Sequence, residues 1–163
     1  MTDETYSLAA QLGQRLSARG AKVTTAESCT GGGIAHAITS VPGSSQWFDC
    51  GFVTYSNEAK QQLLGVGADV LQKFGAVSAE VVRAMAQGAA SAAAAEFAVA
   101  VSGVAGPGGG TPEKPVGTVW FGWRGPGGVT SACHHFSGDR EAVRDQAIVV
   151  ALQGLLEVLD DTV

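Results

Sequence analysis

The sequence predicts an α/β protein, a three-layer α/β/α sandwich around a mixed, mostly parallel sheet of about five strands. Three observations carry this. Short runs rich in β-branched residues are separated by helical segments in the first part of the chain, the order that places crossover helices between strands. A hairpin then comes late, around Gly125-Pro126-Gly127-Gly128. The chain has 163 residues, 45% of them hydrophobic, enough for the core of one ordinary domain, so residues 1–163 are read as a single domain.

Leu8, Leu12 and Leu16 recur every four residues and predict an amphipathic first helix ending near Gly20. Val23 to Ala26 is a short strand. A helix is expected from about Gly32 to Thr39, broken by Val41-Pro42-Gly43-Ser44-Ser45. Trp47 to Ser56 is aromatic and β-branched and reads as the second strand. Asn57 to Leu64 and Asp69 to Phe74 read as short helices. Ser78 is a good N-cap for the Ala-rich helix 79–95, with Val77 and Val82 at hydrophobic-staple spacing. Phe97 to Ser102 is a buried strand. Val116 to Trp123 and Val129 to Phe136 form the hairpin, and a long helix from Asp139 to Leu159 closes the chain.

Bulk properties narrow the function. Net charge is −5 with no basic run, which disfavours nucleic-acid binding through a phosphate-neutralising patch. No window has the length of a membrane span, and Met1-Thr2-Asp3-Glu4-Thr5 does not begin a secretory signal. Cys29, Cys50 and Cys133 are odd in number and lack Cys-x-x-Cys spacing, so neither a disulfide framework nor a zinc site is expected. A cytoplasmic location is expected. Glycine is the outlier at 23 residues, clustered at 31–33, 103–110 and 125–128, where it marks loops.

Ser28 is the leading candidate for chemistry. It stands in Ala26-Glu27-Ser28-Cys29-Thr30-Gly31-Gly32-Gly33, a strand–turn–helix arrangement that presents a hydroxyl to the backbone N–H groups of a helix start. The same stretch also suits a capping Ser28 or Thr30 with glycines that merely make the turn. A nucleophilic serine needs a base. Lys60 lies five residues beyond Tyr55 at the end of the second strand, and a lysine serves as base when burial lowers its pKa. The alternative is a solvated Lys60 and a core Tyr55. Cys29 is a rival nucleophile or a buried thiol.

The loop Ser102-Gly103-Val104-Ala105-Gly106-Pro107-Gly108-Gly109-Gly110 follows a strand, and six of its nine residues are Gly or Pro. It could cradle an anion or be a plain turn. It completes neither a Walker A loop nor Gly-x-Gly-x-x-Gly. Arg140 and Arg144 stand one turn apart at the start of the last helix, where cations oppose the dipole. They hold either a phosphate or carboxylate, or Glu141 and Asp145. Cys133-His134-His135 has no further ligands to complete a metal set.

Five motifs in series resemble the CinA C-terminal domain family over nearly the whole chain. They are Thr25-Ala26-Glu27-Ser28-Cys29-Thr30-Gly31-Gly32, Gly51 through Lys60, Ser102-Gly103-Val104-Ala105-Gly106-Pro107, Lys114 through Val119, and Phe136-Ser137-Gly138-Asp139-Arg140. The resemblance is to the stand-alone members, and it implies hydrolysis of the carboxamide of nicotinamide mononucleotide to nicotinate mononucleotide and ammonia, a step in recycling pyridine nucleotides toward NAD. It implies Ser28 as nucleophile, Lys60 as base, Tyr55 as assistant and Arg140 as a further functional residue. No metal or organic cofactor is implied. Thr30, Gly31, Gly32, Asn57, Ser102, Gly103, Ala105 and Gly106 are the expected substrate-binding residues, with amides near Gly31 and Gly32 holding the oxyanion and loop 103–110 shaping the site or taking the phosphate. The expected partner is the nucleotide substrate, with no nucleic acid or membrane, in a homodimer or larger homo-oligomer. Some family members carry an N-terminal domain resembling molybdopterin-binding proteins, for which this chain is too short. The rival reading is a non-catalytic nucleotide-binding module or an interaction protein linked to competence or DNA damage.

Overall fold

A computed structural model describes residues 1–162. Helix α1 (Asp3–Arg19) is opened by Thr2, whose hydroxyl accepts from the Thr5 N–H, and closed by Gly20 in the left-handed conformation. Strand β1 (Val23–Glu27) is buried along its whole length. Then come α2 (Gly33–Thr39), a single 3₁₀ turn at Ser44–Gln46, β2 (Phe52–Val53), α3 (Asn57–Leu64), α4 (Ala68–Phe74) and α5 (Ala79–Ala93). Strands β3 (Phe97–Gly103), β4 (Thr118–Gly125) and β5 (Gly128–His135) precede the long α6 (Arg140–Asp161). Ser78 caps α5 as its sequence predicts, accepting from the Val81 N–H.

The sheet order is β2-β1-β3-β4-β5. The pairs β2–β1 and β1–β3 are parallel, and β3–β4 and β4–β5 are antiparallel. The sheet is therefore evenly mixed, not mostly parallel as the sequence suggested. The physical reason lies in the connection 104–117, which contains no helix. Without a crossover the chain can only turn back beside the strand it left.

Side-chain alternation along β3 divides the core in two. Phe97, Val99 and Val101 face the layer of α1, α2 and α6, while Ala98 and Ala100 face α5. Small residues on that second face let the Ala-rich α5 lie close to the sheet. Next to it, α3 packs so tightly that a Cβ on Gly88 would collide with the carbonyl of Leu64. That contact fixes α3, the helix that carries Lys60, against the body of the fold.

The second strand is shorter than expected. Only Phe52–Val53 forms it, with an isolated bridge between Val23 and Phe48. The aromatic residues before it are used otherwise. Trp47 is buried against Gly13 of α1, Cys50 offers its carbonyl to the Thr24 hydroxyl at 2.8 Å, and Asp49 pairs with Lys22 at 2.9 Å. Side-chain anchoring replaces the ladder here. The hairpin strands also start and end slightly later or earlier than the apolar runs, at Thr118 and His135.

Candidate active site

The site is built at the C-terminal ends of β1 and β3, where strands give way to loops. Ser28 follows the last residue of β1, and its N–H continues the parallel ladder by donating to Val101 O at 3.0 Å. Alternation then decides direction. Ala26 and Ser28 face the α3 and α5 layer, and Glu27 faces α2.

Lys60 reaches Ser28 from α3. Its Nζ lies 3.1 Å from Ser28 Oγ, 2.7 Å from Thr54 O and 3.4 Å from Tyr55 O. The side chain is 1% exposed, and among the described residues it forms no ion pair. Burial pushes its pKa below the ordinary 10.5, because the charged form loses hydration without a counter-ion. Thr54 O and Tyr55 O can only accept, so each takes an N–H of Lys60, and the third position on Nζ faces Ser28 Oγ. With the amine neutral, that position is a lone pair able to take the Ser28 proton, which is the arrangement a general base requires.

Cys29 is excluded as a thiolate. Burial pushes its thiol up to about 11; its own backbone N–H and the charges of Arg144 and Arg140 pull the other way without offsetting this. Of the two, Ser28 is the side chain hydrogen-bonded to Lys60 Nζ. His134, the middle of the Cys133-His134-His135 run, stacks with Phe136 and meets Phe121 edge-on. Among the described residues no three His, Cys, Asp or Glu side chains converge on one point.

Glu27 is a residue the sequence reading did not single out. It is fully buried and accepts from Thr30 Oγ1 at 2.6 Å, from the Ile34 N–H at 2.9 Å and from the Ala35 N–H at 3.0 Å. Its carboxylate occupies the start of α2 and ties the Ser28 turn to that helix. The helix start is therefore not open to a substrate anion. The Gly31 amide is also engaged, donating to Ser28 O at 3.0 Å, as is Gly33 to Thr30 O. The Cys29 and Gly32 amides have no acceptor on another residue among those described; Cys29 lines the cleft beside Ser28, whereas Gly32 lines the hollow beside Arg144.

Two concavities meet at this point. A cleft of about 340 Å³ contains Ser28, Lys60, Tyr55, Asn57, Ser102, Gly103, Ala105, Gly106 and Arg140, with Ala76, Val77 and Gly108 to Gly110 along its rim. The remaining expected binding residues, Thr30, Gly31 and Gly32, line a second, open hollow of about 660 Å³ together with His36, Arg144 and again Arg140. Arg140 stands between the two. It donates to Gly106 O at 2.8 Å and to the Tyr55 hydroxyl at 2.9 Å, so it links the glycine-rich loop to the end of β2. The structure thus brings Ser28, Lys60, Tyr55 and Arg140 to one cleft from four elements. A sequence signal for Glu27 did exist: an acidic residue directly before a turn and a short helix with no side-chain N-cap of its own.

A family model described as the CinA C-terminal domain matches residues 5–159. A nicotinamide-nucleotide amidohydrolase PncC of Pseudomonas putida is 58% identical over 96% of this chain and 98% of its own length. The protein of the same description from Escherichia coli K12 is 59% identical over 95% of both chains. Among solved structures, the competence/damage inducible protein CihA from Agrobacterium tumefaciens superposes with a TM-score of 0.94 at 42% identity, covering 97% of each chain.

Proposed function

The chain belongs to the CinA C-terminal domain family, and from that membership and its site we infer that it is a nicotinamide-nucleotide amidohydrolase. It hydrolyses the carboxamide of nicotinamide mononucleotide, giving nicotinate mononucleotide and ammonia, and so serves the recycling of pyridine nucleotides toward NAD. The observation that carries the chemistry is the buried Lys60 held 3.1 Å from Ser28 Oγ.

In the reaction we propose, Lys60 Nζ takes the Ser28 proton as Oγ bonds to the carboxamide carbon. The Cys29 amide, next after the nucleophile, meets the oxygen that gains charge. The C–N bond then breaks, Lys60 returns its proton to the departing nitrogen, and ammonia leaves an ester on Ser28. Water gives a proton to Lys60 and attacks that ester, releasing the carboxylate and restoring the hydroxyl. Tyr55 and Arg140 act as a linked pair at the cleft mouth, and Asn57, Ser102, Gly103, Ala105 and Gly106 shape it around the pyridine ring. The convergence of four reactive side chains favours catalysis over a purely binding role, since recognition alone gives no reason to bury an unpaired lysine.

The same reading includes self-association into a homodimer or larger homo-oligomer, which light scattering on the purified protein tests. No helix among the described residues is long and apolar enough to cross a membrane. Incubating the protein with nicotinamide mononucleotide and separating the products by chromatography tests the reaction. Nicotinate mononucleotide is the expected product, and recovery of unchanged substrate from folded protein rejects it.

A further inference from the structure

Resting on the amidohydrolase reading, we propose that the hollow beside the Ser28 turn seats the substrate's phosphomonoester, held by Arg144 and Arg140. The pyridine carboxamide then enters the Ser28 cleft while the other end of the nucleotide lies on the α2–α6 side. Arg140 borders both concavities, so one extended ligand can occupy them together.

Charge is the first support. Among the described residues neither arginine forms an ion pair; the pairs present are Arg15 with Asp160 and Lys22 with Asp49. Arg144 is half-buried, makes one long contact from Nη2 to Thr30 O at 3.3 Å, and keeps its Nε out of solvent with no acceptor. A shielded guanidinium donor without an acceptor is costly, and a phosphate oxygen would remove that cost. Both arginines also sit in the first turns of α6, where a cation without an anion is disfavoured.

The alternatives for the phosphate are weaker. The start of α2 is filled by the Glu27 carboxylate. The glycine-rich loop brings no cation of its own, because Lys114 donates to Phe74 O at 2.8 Å. Glu141 and Asp145 also line the hollow, but they border a smaller depression running toward Thr2 and Thr5 as well. Arg140, Arg144 and Thr30 to Gly32 border the hollow but not that depression, so the positive side is the one toward the Ser28 turn.

The test compares wild type, Arg144→Gln and Arg144→Lys. Wild-type turnover of nicotinamide mononucleotide decides the amidohydrolase reading by itself. For the phosphate seat, the readouts are KM for the nucleotide, kcat, and the inhibition constant of inorganic phosphate at fixed ionic strength. Loss of one charge-assisted phosphate contact in Arg144→Gln is expected to raise both KM and the inhibition constant by about tenfold or more, with the effect on KM larger than on kcat. Arg144→Lys recovers part of both. An unchanged inhibition constant, or a fall confined to kcat, overturns the proposal and leaves Arg144 as a brace for the Thr30 turn.

Discussion

Lys60 Nζ and Ser28 Oγ lie 3.1 Å apart, brought together by residues 32 positions apart in the chain and buried on the same face of the sheet. In the proposed reaction Ser28 supplies the bond-forming atom, and Lys60, its pKa lowered by burial, gives up its own proton more readily than an exposed lysine and so can act as the base.

Ser28→Ala removes the nucleophile, and Lys60→Met removes the base while keeping a long apolar side chain. Each is expected to lower kcat by at least about a thousandfold. The double variant is expected to be little worse than either single one, since the two act as a unit. Additive losses, read from steady-state rates, would argue against a shared step.

The depressed pKa of Lys60 sets two pH effects. Activity is expected to rise with pH as Lys60 loses its proton, along a limb whose midpoint lies below 10.5. Stability follows the same group. Between the folded pKa and 10.5 the unfolded chain holds a proton that the native one lacks, so stability falls as pH falls through that window. Urea unfolding of Lys60→Met over the same pH range should lack that slope.

Cys29 has a thiol near 11 and is buried, so it takes no part as a nucleophile. Cys29→Ala is expected to keep kcat within about tenfold of wild type, the cost being a small cavity. Alkylation at pH 8 followed by peptide mass analysis should mark exposed Cys50 and spare Cys29.

Glu27→Gln keeps the shape and removes an acceptor. The Ile34 and Ala35 amides and the Thr30 hydroxyl all donate to this carboxylate, so a carboxamide must set its own NH₂ against one of them. The expected loss is about 2 kcal/mol of stability, measured by urea unfolding, because a buried donor is left unsatisfied. Wild-type stability in this variant would mean the turn is held by other contacts.

The sequence was most informative where local physics decides the outcome. Ser78 is the N-cap its type suggests, and the apolar repeat of Leu8, Leu12 and Leu16 does lie on the buried side of α1 except for partly exposed Leu8. The motif around Ser28 and the position of Lys60 could be read as a reactive pair because strand ends collect functional groups. What could not be read depends on packing across the chain. Trp47 looks like a strand residue until Gly13 of α1 provides the space that buries it. Glu27 looks like a neighbour of the nucleophile until α2 folds back over it. Thr30 to Gly32 share one turn with Ser28 yet line the hollow beside Arg144 while Ser28 lines the cleft beside Lys60, a division that a linear motif does not record.

The most direct test is ammonia release from nicotinamide mononucleotide by the purified protein with a chelator present, run beside Ser28→Ala and Lys60→Ala. Release is expected from the wild type and is expected to be lost in both variants while they remain folded by circular dichroism. Release that survives in folded Ser28→Ala would contradict the serine–lysine mechanism.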